Sequence, residues 1–236
     1  MTHRTADLRR VVSRWQIVGL ALNDVIGSGV YLLPAAAAAL LGPWSLWAVL
    51  LAGLAVLLLV LCFAEASSHF DQPGSAYLYA RTAFGDFVAV EVGWMTWVAR
   101  VSSVASLSVG FAQAVSYLWP SVEGGMPRAL AITVPLLILT AITVVGARSG
   151  VGAAMFLLAS KLLPLLLFLA FGIFAATREQ VLAQPAGEGS LTGAALLLMF
   201  AYAGFENTPA AAGEYRNPRR DVPFALIVNN TVVTLL

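Results

Sequence analysis

Five ionisable side chains stand inside long apolar runs of this sequence: Asp24, Glu91, Arg100, Lys161 and Glu206. A charge at such a position is expensive in a bilayer and marks a functional site by default. Two of the five flank polar breaks that contain glycine. Asp24, with Asn23 beside it, precedes Ile26-Gly27-Ser28-Gly29-Val30-Tyr31 in the run from Trp15 to Leu41. Glu206 belongs to Ala203-Gly204-Phe205-Glu206-Asn207 in the run from Leu191 to Ala212. A helix broken at membrane depth frees amides and carbonyls that cannot face lipid, since each unsatisfied group costs several kcal/mol there. They must face protein, water or a bound solute. Interrupted spans in corresponding places are a sequence pointer to the substrate site of a secondary transporter.

Each polar residue has a bland reading beside the sharp one. The Asp24 carboxylate can accept hydrogen bonds from freed amides or pair with a cation, and Asn23 can do similar work without charge. Glu206 can hold a cationic ligand group, respond to protons, or cap the amides of the half-helix that follows, and these readings stay open. Lys161, in Ala159-Ser160-Lys161-Leu162-Leu163-Pro164, is an ammonium whose protonation can couple to a conformational cycle; snorkelling to the interface is the competing reading. Arg100 pairs with a carboxylate or with freed carbonyls, in a functional or an architectural role. Glu91 lies about a turn from the start of its run and reads as reaching interfacial water. The single cysteine, Cys62, excludes a disulfide within the chain and reads as a small packing residue. With only His3 and His69 besides, the chain gives no expectation of a metal, a cofactor or an enzyme's nucleophile.

The elements that must position these residues are membrane spans. The 236 residues are 60% hydrophobic and 11% charged, with a mean hydropathy of +0.86, too apolar for a soluble core. A net charge of +1 implies no nucleic-acid groove. At about 20 apolar residues per span, spans are expected near 15–41, 44–64, 86–118, 129–147, 151–176, 191–212 and 222–236. Residues 1–14 form a polar tail, retained because the apolar stretch after it outruns a signal peptide. With the tail cytoplasmic, the inside connectors hold Arg4, Arg9, Arg10, Arg14, Arg81, Arg148, Arg216, Arg219 and Arg220, and the outside ones only Arg128 and Arg178. Trp15, Trp44, Trp47 and Trp119 fall near span ends; Trp94 and Trp97 lie deeper, where packing between helices is the first reading and lining a solute path the second. The seventh run reaches Leu236 without a stop signal and reads as cut.

These motifs resemble the amino acid, polyamine and organocation superfamily, and more narrowly its bacterial amino acid permeases. The resemblance rests on Ile26 to Pro34, on Ala64-Glu65, on Gln72-Pro73-Gly74-Ser75-Ala76-Tyr77 and Ala83-Phe84-Gly85, on Gly204-Phe205-Glu206, and on Ala212 to Pro223. It departs at Ala66-Ser67-Ser68-His69, where aliphatic residues are usual. It implies an all-α polytopic membrane protein with a leucine-transporter-like inverted-repeat fold, of which this sequence holds the first five-helix repeat, the sixth helix and part of the seventh. By position, the amides of Ser28 and Gly29 would bind a substrate carboxylate. Gly27 would allow close approach, and carbonyls of Val25 or Ile26 and near Ala203 and Gly204 would take the amino group. Phe200 matches an aromatic gate, and Lys161 matches a lysine that replaces a sodium ion in proton-coupled relatives.

The function implied is proton-coupled symport of amino acids by alternating access, through an inner membrane. Exchange of an amino acid for an amine is the near alternative. A non-transporting sensor or scaffold is the alternative of another class, and an enzyme or a channel is disfavoured. Expected partners are an amino acid or related amine, protons and the lipid bilayer. Neutral, cationic and amine substrates, and oligomeric states, stay equally open.

Overall fold

The computed structural model describes residues 10–145, 147–175 and 189–236. Most of the expected tail, with Arg4 and Arg9, lies outside those residues, as do Arg178 and the side chain of Arg148. The helices are α1 (Arg14–Val25), α2 (Ser28–Leu41), α3 (Ser45–Ser68), α4 (Ser75–Phe84), α5 (Asp86–Leu118), α6 (Gly125–Val145), α7 (Ala147–Ala175), α8 (Leu191–Met199) and α9 (Pro218–Leu235). Short 310 turns run over Gly42–Trp44, Pro120–Val122 and Phe200–Tyr202, and a longer 310 segment over Phe205–Glu214. No strand occurs among the described residues, only an isolated bridge between Val12 and Tyr215. Four helical stretches, Gly29–Ser68, Asp86–Leu118, Gly125–Val144 and Gly150–Gly172, are long and apolar enough to cross a membrane. The protein is an all-α polytopic membrane protein.

Helix ends follow local chemistry. The Ser13 amide donates to Gln16 Oε1 at 2.9 Å before α1, and the Ser190 hydroxyl accepts the Gly193 amide at 3.0 Å to start α8. Pro218 opens α9, where an amide would lack a partner anyway, and Asp221 sits in its first turn facing the positive end of the helix.

The chain forms two compact units, residues 1–75 with 151–236, and residues 76–150. In the first, α3 packs on α8 and α9, α1 on α9, and α2 on α8. Its contact face is a stripe of Ala48, Ala52, Val56, Val60 and Ala64, spaced four apart along α3 and all buried. Small residues at this spacing let helices approach closely. The opposing face of α9 presents Val222, Ala225, Leu226, Asn229, Asn230 and Val233. Ile17, Ile26, Leu198 and Leu226 are fully buried between these helices. In the second unit, α5 packs on α6, and Tyr77 lies against Gly93 of α5. Arg100 belongs to this unit and is half-buried, while Glu91 is exposed.

Three side chains expected to pack lie on the surface of the described residues. Cys62 is exposed, because the buried stripe of α3 runs through Val60 and Ala64 and leaves position 62 on another face with Leu58 and Leu61. Trp94 and Trp97 are also exposed, and they stack on each other at 5.2 Å.

Candidate functional site

The first break is a two-residue interruption between α1 and α2. Ile26 leaves the helix with ψ 86, and Gly27 is extended with φ −125 and ψ −160. Gly27 turns its amide back to the Val25 carbonyl at 2.8 Å, a bond that replaces its helical bond to Asn23. The Asn23 carbonyl is thereby released from the ladder and accepts from Lys161 Nζ at 3.0 Å. A charge-assisted bond of this kind is stronger than a neutral one. Tyr31, on α2, donates its hydroxyl to the Lys161 backbone carbonyl. Thus α7 is tied at one residue to both halves of the broken span. Asn23 Oδ1 is buried with no hydrogen-bond donor among the described residues, so an acceptor is held ready beside the break.

The second break follows α8. Ala203 is extended, and Gly204 takes φ +124, a conformation that L side chains rarely adopt. The ten-residue segment after it is wound as a 310 helix with a kink at Ala211, far longer than such helices usually run, which marks strain or a functional hinge. Pro209 inside it removes an amide from the ladder. Glu206 Oε2 accepts the Gly204 amide at 2.8 Å, so its carboxylate caps the half-helix. Phe63 of α3 packs edge-on against Phe205 at 5.4 Å.

The two breaks meet backbone to backbone. A Cβ built on Gly204 would lie 2.9 Å from the Asp24 carbonyl oxygen, and one on Gly29 would lie 3.0 Å from Ala201 Cα. Glycine is required at both places because a side chain would push the broken segments apart. Beside Gly27 the situation differs: a Cβ there would meet nothing nearer than the Val25 oxygen at 3.9 Å. Neither conformation nor protein packing demands glycine at that position.

The sequence-selected residues therefore divide. Asn23, Val25, Ile26, Gly27, Gly29, Ala203, Gly204, Glu206 and Lys161 gather at the facing breaks, with the backbone of Ser28 opening α2. The Asp24 side chain is exposed and engaged in interactions. Phe200 begins the turn at the second break with its ring 71% exposed. Arg100, in the other unit, has interactions of its own. Sequence reasoning missed an outer ring of contacts. Arg14 Nε donates to Asp221 Oδ1 at 2.7 Å, with Asp221 buried and the guanidinium 5.0 Å over the Phe224 ring. Val12 bonds through its backbone to Glu214 and Arg216. Tyr215 donates to the Thr208 carbonyl at 2.8 Å, and burial pushes its phenol above the ordinary range. Ser75 Oγ donates to the Glu206 carbonyl at 2.7 Å.

Chemically, the site offers the amide end of α2 at Ser28 and Gly29, whose positive dipole end favours an anion. It also offers backbone carbonyls at both breaks, which favour an ammonium. No cluster of residues able to hold a metal ion occurs among the described residues.

Fold and site together define a polytopic membrane protein in which two broken segments face each other around backbone polar groups. Residues 12–236 match the family model described as amino acid permease, and the chain belongs to that family. Among curated relatives, it is 29% identical over 249 residues to the methylthioribose transporter of Bacillus subtilis (strain 168), covering 99% of this chain and 54% of the relative. It is 27% identical over 247 residues to the branched-chain amino acid permease BcaP of the same organism, covering 98% and 53%. It is 25% identical over 257 residues to the mitochondrial cationic amino acid transporter 3 of Arabidopsis thaliana, covering 99% and 42%. The chain spans about half the length of the curated relatives it matches.

Proposed function

We propose that the protein carrying this chain is a secondary active transporter of amino acids, moving protons with substrate by alternating access. The observation that carries this reading is the meeting of the two breaks, Gly204 against the Asp24 carbonyl and Gly29 against Ala201. It brings the amide end of α2 and the freed carbonyls to one place. A zwitterionic amino acid matches that arrangement, its carboxylate on Ser28 and Gly29 amides and its ammonium on carbonyls of Val25, Ile26 or Ala203. The Val25 carbonyl already accepts one amide and has a second lone pair to offer. In this reading Phe200, exposed at the second break, covers a bound solute.

Lys161 is the proton-coupling residue in this reading. Protonated, it holds the Asn23 carbonyl and so fixes α1 on α7. Loss of the proton removes the charge from that bond and favours the state in which the two helices part. The relatives carry branched-chain amino acids, cationic amino acids and methylthioribose by name, so the substrate panel must include all three. In a bacterial inner membrane the arginine-rich connectors would face the cytoplasm.

The test is uptake into proteoliposomes holding the full-length protein, with and without an inward proton gradient, beside a Lys161→Ala variant. Gradient-stimulated uptake that the variant loses at least about tenfold is the expected result, the equivalent of about 1.4 kcal/mol. Counterflow indifferent to the gradient would replace symport with exchange, and no uptake of any panel member would remove the transport reading.

A further inference from the structure

The second break is held by a contact that none of the site chemistry above uses. In a 310 helix each carbonyl accepts from the amide three residues on. For Glu206 that partner is residue 209, which is proline and has no amide hydrogen. The Glu206 carbonyl instead accepts from Ser75 Oγ at 2.7 Å. Ser75 is 8% exposed and stands at φ +45, next to Gly74 at φ +140. A serine in the left-handed region is strained where glycine would not be. The strain is borne at a position whose hydroxyl is the donor that the proline withholds.

Glu206 is thus pinned twice. Its carboxylate takes the Gly204 amide at 2.8 Å, and its backbone oxygen takes the Ser75 hydroxyl. Both bonds act within two residues of Gly204, whose backbone lies against the first break at Asp24. Releasing the Glu206 carbonyl would let the 310 segment rewind and move the Ala203 carbonyl relative to the amides of α2.

We infer that Ser75 is a positioning residue of the transport site, supplying to the Glu206 carbonyl the donor that Pro209 lacks and so setting the spacing between the two breaks. This rests on the transport reading given above. The residue touches no substrate; it acts through the backbone of the second break.

The clean variant is Ser75→Gly, which removes the hydroxyl while easing the backbone, so a loss of function is not a loss of fold. Its partner is Ser75→Gly with Pro209→Ala, which restores a backbone donor at residue 209. Two readouts apply to the full-length protein: amide hydrogen exchange of the peptide covering residues 203–210, and the KM and maximal rate of uptake in proteoliposomes. Ser75→Gly is expected to speed exchange in that peptide and raise KM, each by about three- to tenfold, the scale of one ordinary hydrogen bond. The maximal rate should stay within about twofold, and the double variant should recover both quantities. Parent-like exchange in Ser75→Gly overturns the proposal, as does faster exchange with parent KM, or a double variant that recovers neither. If the parent carries no solute of the panel, the transport reading falls and the positioning role falls with it. Parent uptake with unchanged Ser75→Gly kinetics overturns the role of Ser75 alone.

Discussion

Glu206 illustrates how one side chain can be assigned by what it already holds. Its Oε2 accepts the Gly204 amide at 2.8 Å, and a neutral glutamine can accept the same bond through its amide oxygen. Glu206→Gln should therefore retain stability and substrate affinity close to the parent, whereas Glu206→Ala should lose about 1 kcal/mol of stability, as removal of a helix cap does. Thermal unfolding in detergent and a KM measurement on both variants check this. A Glu206→Gln variant that folds normally and rejects only cationic substrates would instead put the carboxylate on the ligand. At this scale the sequence was legible where a charge stood out against apolar neighbours, as Lys161 and Glu206 do. It was mute where the partner is remote: Ser75 meets a carbonyl 131 positions away and Arg14 a carboxylate 207 away. Neither serine nor a tail arginine is conspicuous by composition.

The broken spans show glycine doing two different jobs, one at each break. At Gly204 a Cβ would strike the Asp24 carbonyl at 2.9 Å and the backbone sits at φ +124; at Gly27 a Cβ has room and φ is −125. Gly204→Ala should consequently weaken the fold itself by about 1–3 kcal/mol through backbone strain. Gly27→Ala should melt within a few degrees of the parent, yet bind substrate at least about tenfold more weakly, because the methyl group occupies the approach to the freed amides. Thermal unfolding paired with ligand-induced stabilisation separates the two effects. Parent-like binding by Gly27→Ala would show that solute does not approach that face. Both breaks were readable because glycine stands there beside polar residues, Ser28 at the first and Glu206 at the second, inside an apolar run. Their face-to-face placement followed only from the resemblance and not from the residues themselves, because α8 packs directly on both α2 and α3, elements far from it in the chain, and the small-residue stripe of α3 reads in sequence as one more apolar span.

Across the first unit, one acidic residue gathers three separate connectors. Asp71, which follows α3, lies 3.9 Å from Arg10 and 3.5 Å from Arg219. With Arg216, Asn217, Pro218 and Arg220 these residues line a cleft of about 270 Å³. The chain before α1, the connector after α3 and the connector before α9 therefore lie at one end of this unit. An even number of crossings must separate them, as the spans expected from hydropathy provide, with α1 and α2 as the halves of one broken span. By the same count, three crossings separate residue 123, between α5 and α6, from residue 216. The topology is open to a direct test in which every native cysteine of the full-length protein, the exposed Cys62 among them, is first replaced by serine. Glu123→Cys and Arg216→Cys, each made in that background in the full-length protein, should react with a membrane-impermeant maleimide from opposite sides of the cell membrane. Position 216 should be reached only after the cytoplasmic side is opened. Its arginine neighbours Arg219 and Arg220 make that the side where translocation would work against the positive-inside bias. Labelling of both cysteines from the same side would remove one crossing from α6, α7 or the broken segment that starts at Leu191, and the breaks could then no longer share one membrane depth.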